Sequence, residues 1–225
     1  MKHFLKLAIA LTLLMITSCS GQQKTDLFKL NLNEAVQTLI SETSRKSIGK
    51  DGIEYPFAIL VEDMDSTKFS LSNIPVKKVY FLLQSNKEND TIIVGAHVEG
   101  TIFKTKEQLI NNLNELKPKI ISNNIFGFRA VITDDKNKAE IKKMLVKKYG
   151  NGIKNPNTEN GLYWNLKNEN KYIFFAPDYD RLIVLNSAGL SKTCYWDIAN
   201  GMIDFSAGNC NVENYFKEMG VPIKQ

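Results

Sequence analysis

Histidine is nearly missing from this sequence, with two in 225 residues, and cysteine and tryptophan are as scarce at three and two. So few imidazoles exclude a His-rich zinc site built by one chain. Three cysteines also exclude a disulfide-dense scaffold. No Gly-x-Ser-x-Gly turn is present to carry a serine nucleophile, no Ser-x-x-Lys with its companion motifs, and no Gly-rich phosphate loop. Internal repeats and low-complexity tracts are absent too. What remains is an ordinary globular balance, 43% hydrophobic and 24% charged. A chain of this length buries about 70% of its unfolded surface in one core, so one domain is the default and two small ones the alternative.

The N-terminus differs from the rest. Lys2 and Lys6 make a positive start, Leu7 to Ile16 carries no charge, and Thr17 and Ser18 lead into Cys19. Ten apolar residues fall short of the roughly 20 that a helix needs to cross a bilayer, so the segment reads as a signal peptide. Ile16-Thr17-Ser18-Cys19 resembles the lipobox of bacterial lipoproteins: an aliphatic residue, a small or β-branched one, a small one, then Cys. The resemblance implies that the Cys19 thiol is alkylated with diacylglycerol, that residues 1–18 are cut away, and that the freed amine is acylated. The residue types suit that chemistry, because small side chains admit the peptidase and only a thiol offers a good nucleophile. An ordinary secretory signal with a cysteine beside its cleavage site is the alternative. Two or more acyl chains give stable anchoring where one is marginal. Ser20 in place of Asp resembles the signal for forwarding to the outer membrane, which implies an exported, lipid-anchored protein. Processing removes Lys2, Lys6 and His3, so the net charge falls from +5 to +3 and His97 becomes the sole histidine. That excess is too small to point to nucleic acid.

Three segments follow: 1–18 as the signal, 19–27 as lipidated cysteine and tether, and 28–225 as a single α+β domain. Helices packed on a mostly antiparallel sheet, with a C-terminal β meander, are expected. Apolar residues at helical spacing predict an amphipathic helix from about Asn31 to Arg45. Phe57 to Val61, Val79 to Leu83 and Thr91 to Val98 read as strands. Thr105 and Gln108 form a capping box ahead of Leu109, Leu113 and Leu116, and Pro118 disturbs that helix near its end. Phe126 to Thr133 is a strand, and Asp134 or Asp135 caps a further helix with Ile141, Met144 and Leu145 inward and Gly150 as its stop. Leu162 to Leu166, Tyr172 to Ala176 and Arg181 to Asn186 form the meander. Tyr195 to Ile198 and Met202 to Phe205 flank Asn200-Gly201, a hairpin dipeptide, and a last helix covers roughly Val212 to Met219.

Several residues invite chemical readings. His97 titrates near neutrality and lies two residues before Glu99 in a strand-like run, so the two share a face and could act as a base and its orienter. A lone histidine in an apolar strand is more often a hydrogen-bonded structural residue, and that is the favoured reading. Glu62, Asp63 and Asp65, the pair Asp134 and Asp135, and the pair Asp178 and Asp180 cluster carboxylates, and Asp63/Asp65 or Asp178/Asp180 could hold a hard cation. None fits an EF-hand loop, and solvated turns explain them without a metal. Phe126-Gly127-Phe128-Arg129 touches the RNA-recognition consensus but lacks its basic start and second motif. Large aromatics gather in the C-terminal part; alternation sends Tyr163 and Trp164 to opposite faces, likewise Phe174 and Phe175, so one set could pack the core while the other reaches solvent. Trp164, Tyr179 and Trp196 are the candidates for contact with a sugar or protein ligand. Lysines along the helix after Asp135 could rest on anionic headgroups, or simply form its solvated face. Cys194 and Cys210 span the Asn200-Gly201 hairpin, and a disulfide between them is expected in an oxidising compartment.

Two function classes follow. One is a membrane-anchored, non-enzymatic binding or interaction module without metal or cofactor, whose partner is an envelope protein or polysaccharide. The other is an envelope hydrolase using His97 with a nearby carboxylate.

Overall fold

The computed structural model describes residues 24–48, 59–85, 101–115, 120–155 and 158–187. Among them the fold is mixed and β-rich. Nine strands form one sheet: β2 (Ser44–Ile48), β3 (Ile59–Asp63), β6 (Lys78–Ser85), β7 (Thr101–Phe103), β8 (Ile120–Val131), β9 (Ile153–Lys154), β10 (Leu162–Leu166), β11 (Lys171–Ala176) and β12 (Arg181–Asn186). Their order is β7-β2-β3-β6-β8-β12-β11-β10-β9, and each neighbouring pair runs antiparallel. A small second sheet joins β1 (Thr25–Asp26), β4 (Phe69–Leu71) and β5 (Ile74–Pro75). Its β4–β5 hairpin turns on Ser72 and Asn73, both at positive φ, the geometry that matches strand twist in two-residue loops.

Three helices accompany the strands among the described residues: α1 (Val36–Leu39), α2 (Lys106–Glu115) and α3 (Asp135–Tyr149). Four antiparallel steps separate β7 from β8, and four more separate β8 from β9, so these three strands point the same way. The connections β7–α2–β8 and β8–α3–β9 therefore advance in one direction across the sheet. The single preferred handedness of such crossovers puts both helices on one face. The core agrees, since Leu109 and Leu113 of α2 and Ile141 and Leu145 of α3 belong to one buried cluster. Opposite them, Val61, Phe81, Phe128, Val184, Ile173 and Trp164 form a row of directly paired residues across six strands. Phe81 and Phe128 are fully buried, and each such side chain contributes about 1.5–3 kcal/mol.

Stepping one residue along every strand gives the row on the other face: Arg45, Glu62, Tyr80, Arg129, Ile183, Phe174 and Tyr163. It is charged at one end and apolar at the other. Tyr163 stacks on Phe174 at 5.2 Å between ring centres, and both are buried.

Helix ends follow local chemistry. Gln108 N–H donates to Thr105 Oγ1 at 3.3 Å, which is the cap expected for α2, while Gln108 Oε1 reaches back one residue further than in a capping box and accepts from Lys104 N–H at 2.9 Å. Asp134 caps α3 by accepting from Asn137 N–H at 2.8 Å, and Gly150, at φ 77°, ends it.

The expected helix over Asn31 to Arg45 is a correction. Only Val36–Leu39 is helical, and Ser44 begins strand β2. Leu32 adopts a positive φ of 62°, and the Glu34 carboxylate draws Asn31 and Asn33 N–H into a turn. Leu32, Val36 and Ile40 are nonetheless all buried, so the apolar spacing marked the residues that enter the core and not their conformation. The expected tether also yields earlier to structure, because Thr25 already pairs with Phe69. Thr91 to Val98, Tyr195 to Ile198, Met202 to Phe205, Leu116, Pro118 and the helix from Val212 lie outside the described residues.

Candidate functional site

The face of the sheet away from the helices carries a polar cluster. Strand register sets Arg45 opposite Glu62, Glu62 opposite Tyr80, and Tyr80 opposite Arg129. Glu62, its side chain 4% exposed, pairs with Arg45, and Lys78 Nζ stands 3.5 Å from its other oxygen. The Arg129 guanidinium lies 4.4 Å above the centre of the Tyr80 ring, a cation–π contact. Burial works to lower the Arg45 pKa, yet the hydrogen bond and charge of Glu62, with Tyr80 adding, outweigh it and hold the group above its ordinary value. The row contains a carboxylate fixed by cations and a phenol, but no serine, cysteine or histidine.

This arrangement corrects one reading of the carboxylates. Glu62 and Asp63 sit inside β3, not in a loop after it, and alternation turns them to opposite faces. Asp63 accepts from the Ser41 N–H and hydroxyl, and from Asp65 N–H at 2.7 Å. Asp65 in turn accepts from the Thr67 hydroxyl, which holds its carboxyl below the ordinary value, with burial opposing and the Thr67 N–H and Lys68 helping. These oxygens are spent on the chain's own donors. Among the described residues no three or more His, Cys, Asp or Glu side chains group as metal ligands.

A second feature lies on the helix side. Between the first turns of α3 and the β11–β12 turn opens a cavity of about 420 Å³, lined by Asp135, Lys138, Lys142, Asn160, Pro177 and Asp178 among others. Lys138 bridges Asp135, at 3.1 Å, and Asp180. The Asp180 hydrogen bond chiefly raises the Lys138 pKa against burial, and Asp135 adds to it. Asp178 accepts from Asn160 N–H and Nδ2, both at 2.8 Å, and those bonds hold its carboxyl below the ordinary value. Asp178 and Asp180 thus brace a turn, where Asp180 takes a left-handed conformation at φ 57°. Sequence reading found the two aspartates but not their partners Asn160 and Lys138, which lie on distant segments.

Of the aromatic candidates, Tyr179 is exposed at the tip of the same turn. Trp164 is a correction: it is 4% exposed, packs in the core cluster, and donates from Nε1 to Gly150 O at 3.0 Å. Its face of β10 lies under the helices, so it presents no platform to a ligand. Tyr163 and Phe174, on the opposite face, are buried as well, so neither set reaches solvent. Cys19, His97, Glu99, Cys194, Trp196 and Cys210 lie outside the described residues.

Among the described residues no helix is long and apolar enough to cross a membrane. Compared with known proteins, the chain matches no family model, no curated protein and no solved structure.

Proposed function

We propose that this chain is an exported lipoprotein of the cell envelope, held at the outer membrane through diacylated Cys19, and that its folded part is a non-enzymatic binding module. The observation that carries the anchoring is Ile16-Thr17-Ser18-Cys19 at the end of an apolar run behind Lys2 and Lys6. Two or more acyl chains would retain the protein on the membrane without a spanning helix.

The binding reading is supported by the open cavity beside α3 and by the exposed Tyr179, which follows the cavity-lining Pro177 and Asp178 on the same turn. Lys138 is paired with Asp135 and Asp180, and Asp178 is bonded to Asn160, which suits recognition of a polar envelope polymer or protein better than proton transfer. Growth with a labelled fatty acid tests the anchoring: label and an acyl mass on the Cys19 peptide are expected, and both vanish in Cys19→Ser, which moves to the soluble fraction. A membrane-bound, unlabelled Cys19→Ser protein would overturn it. For the binding module, Tyr179→Ala should weaken retention on isolated envelope material by at least threefold, with folding unchanged; equal retention would remove that surface from consideration.

A further inference from the structure

The end of the domain where the described chain begins is strongly basic. Lys171 reaches from β11 to Leu30 O, with Nζ at 2.8 Å, which places the β10–β11 turn beside residues 24–30. Lys148, near the end of α3, stands 4.7 Å above the Tyr149 ring. Its pKa is raised first by the Tyr149 hydroxyl, against burial, and then by the charges of Glu169 and Asp26, so the end of α3 adjoins both segments. The small sheet supplies the same link, since β1 pairs with β4, β4 with β5, and β5 packs on α3. Lys24, Lys29, Lys147, Lys148, Lys167 and Lys171 thus gather around one end, and all but Lys171 are exposed. Among the described residues, the carboxylates acting on Lys148 there are Glu169 and Asp26.

Four residues lie between Cys19 and Lys24, which makes five Cα-to-Cα steps. Fully extended they span about 17 Å, so a lipidated Cys19 would hold this end within that distance of the headgroups. Lysines kept so close to a lipid surface are drawn to it when it carries negative charge, and within a screening length of about 8 Å the attraction is strong.

The geometry points to this lysine-rich end as a docking surface for anionic phospholipid headgroups, an inference that rests on the Cys19 anchor. It would orient the domain as well as hold it close. Helix α3, about 22 Å long, runs from the basic end to the cavity, where Lys138 meets Asp180 and Tyr179 is exposed. Seating the basic end on lipid turns the cavity outward.

The test uses the full acylated protein in vesicles of phosphatidylcholine alone or with one third phosphatidylglycerol, with amine acetylation followed lysine by lysine by mass spectrometry. Lys29, Lys147 and Lys167 should acetylate at least about threefold more slowly on the anionic vesicles, and 1 M salt should abolish the difference. Lys77 and Lys136, exposed at the far end, should react equally on both. In Lys147→Glu/Lys167→Glu the protection of Lys29 should fall away. Equal rates at the basic end, with the acyl mass present on Cys19, would overturn the docking surface and leave the anchor standing. Absence of that mass, with protein washing off both vesicles, would overturn the anchor and the docking surface together.

Discussion

Trp164 donates from its indole Nε1 to the carbonyl of Gly150 at 3.0 Å, so strand β10 is fastened to the residue that ends α3. Gly152 lies beneath the same ring. A Cβ there would come within 2.8 Å of Trp164 Cε2 and Cζ2, closer than carbon atoms approach. Gly152→Ala should therefore push the indole out of its place and cost about 1–3 kcal/mol, the range for overfilled cores. Trp164→Phe keeps much of the packing and should lose about 1 kcal/mol for the hydrogen bond, while Trp164→Ala should lose about 3–5 kcal/mol. Urea unfolding of the three variants checks the order.

Glu62 is the carboxylate with most at stake on the far face, being buried between Arg45 and Lys78. Its partners are about a third and two fifths exposed, so water relieves them partly when Glu62 is removed. Glu62→Ala should cost about 1–3 kcal/mol, below the range for a fully buried pair. Arg45→Ala should cost less, because Lys78 still faces the carboxylate. A double-mutant cycle between Arg45 and Glu62 measures the coupling, which should exceed that of an ordinary surface pair at about 0.5 kcal/mol.

The legible parts of this fold are those whose signal is local. Strands 162–166, 171–176 and 181–186 show themselves as short apolar runs between polar turns, and α2 and α3 by their caps at Thr105 and Asp134. The run Glu62-Asp63-Met64-Asp65 misleads because polar residues suggest a loop. What keeps Glu62 in a strand is Arg45, a partner fixed by the pairing of β2 with β3. Trp164 misleads for a similar reason: alternation shows that it opposes Tyr163, but the crossover of α3 decides which face is covered, and here both are buried. The cavity depends on Lys138 and Asn160 meeting the β11–β12 turn, a long-range contact invisible to any window of sequence.

Acid and base should each weaken that turn, acid through Asp178 and base through Lys138. Asp178 has a depressed pKa, so its contribution to stability is complete above the ordinary value of 3.8 and is lost as pH falls below that through the folded value. Lys138 has a raised pKa, so its contribution is complete below the ordinary value of 10.5 and is lost as pH climbs above it through the folded value. Between those limits neither group titrates. Asn160→Ala removes the larger cause of the Asp178 shift, and a carbon-detected NMR titration should show the Asp178 carboxyl moving back up toward 3.8. An unchanged titration would mean that Asn160 does not hold it.

Gly127 sits where the two central strands meet β12, paired with Leu82 on one side and Leu185 on the other. A Cβ at this position would lie 2.5 Å from the Val184 carbonyl oxygen and 2.6 Å from Leu185 Cδ2. The second contact involves a side chain that can turn aside, whereas the first involves the backbone of a paired strand, which cannot. Gly127→Ala should consequently cost about 3 kcal/mol or more and shift the β8–β12 register or pry the strands apart. Adding Leu185→Ala removes the side-chain conflict and leaves the carbonyl in place, so the double variant should recover none of the loss in urea unfolding. Recovery would assign the constraint to Leu185 packing and not to the close approach of β12, and hydrogen exchange at Val184 and Leu185 would then remain as slow as in the parent protein.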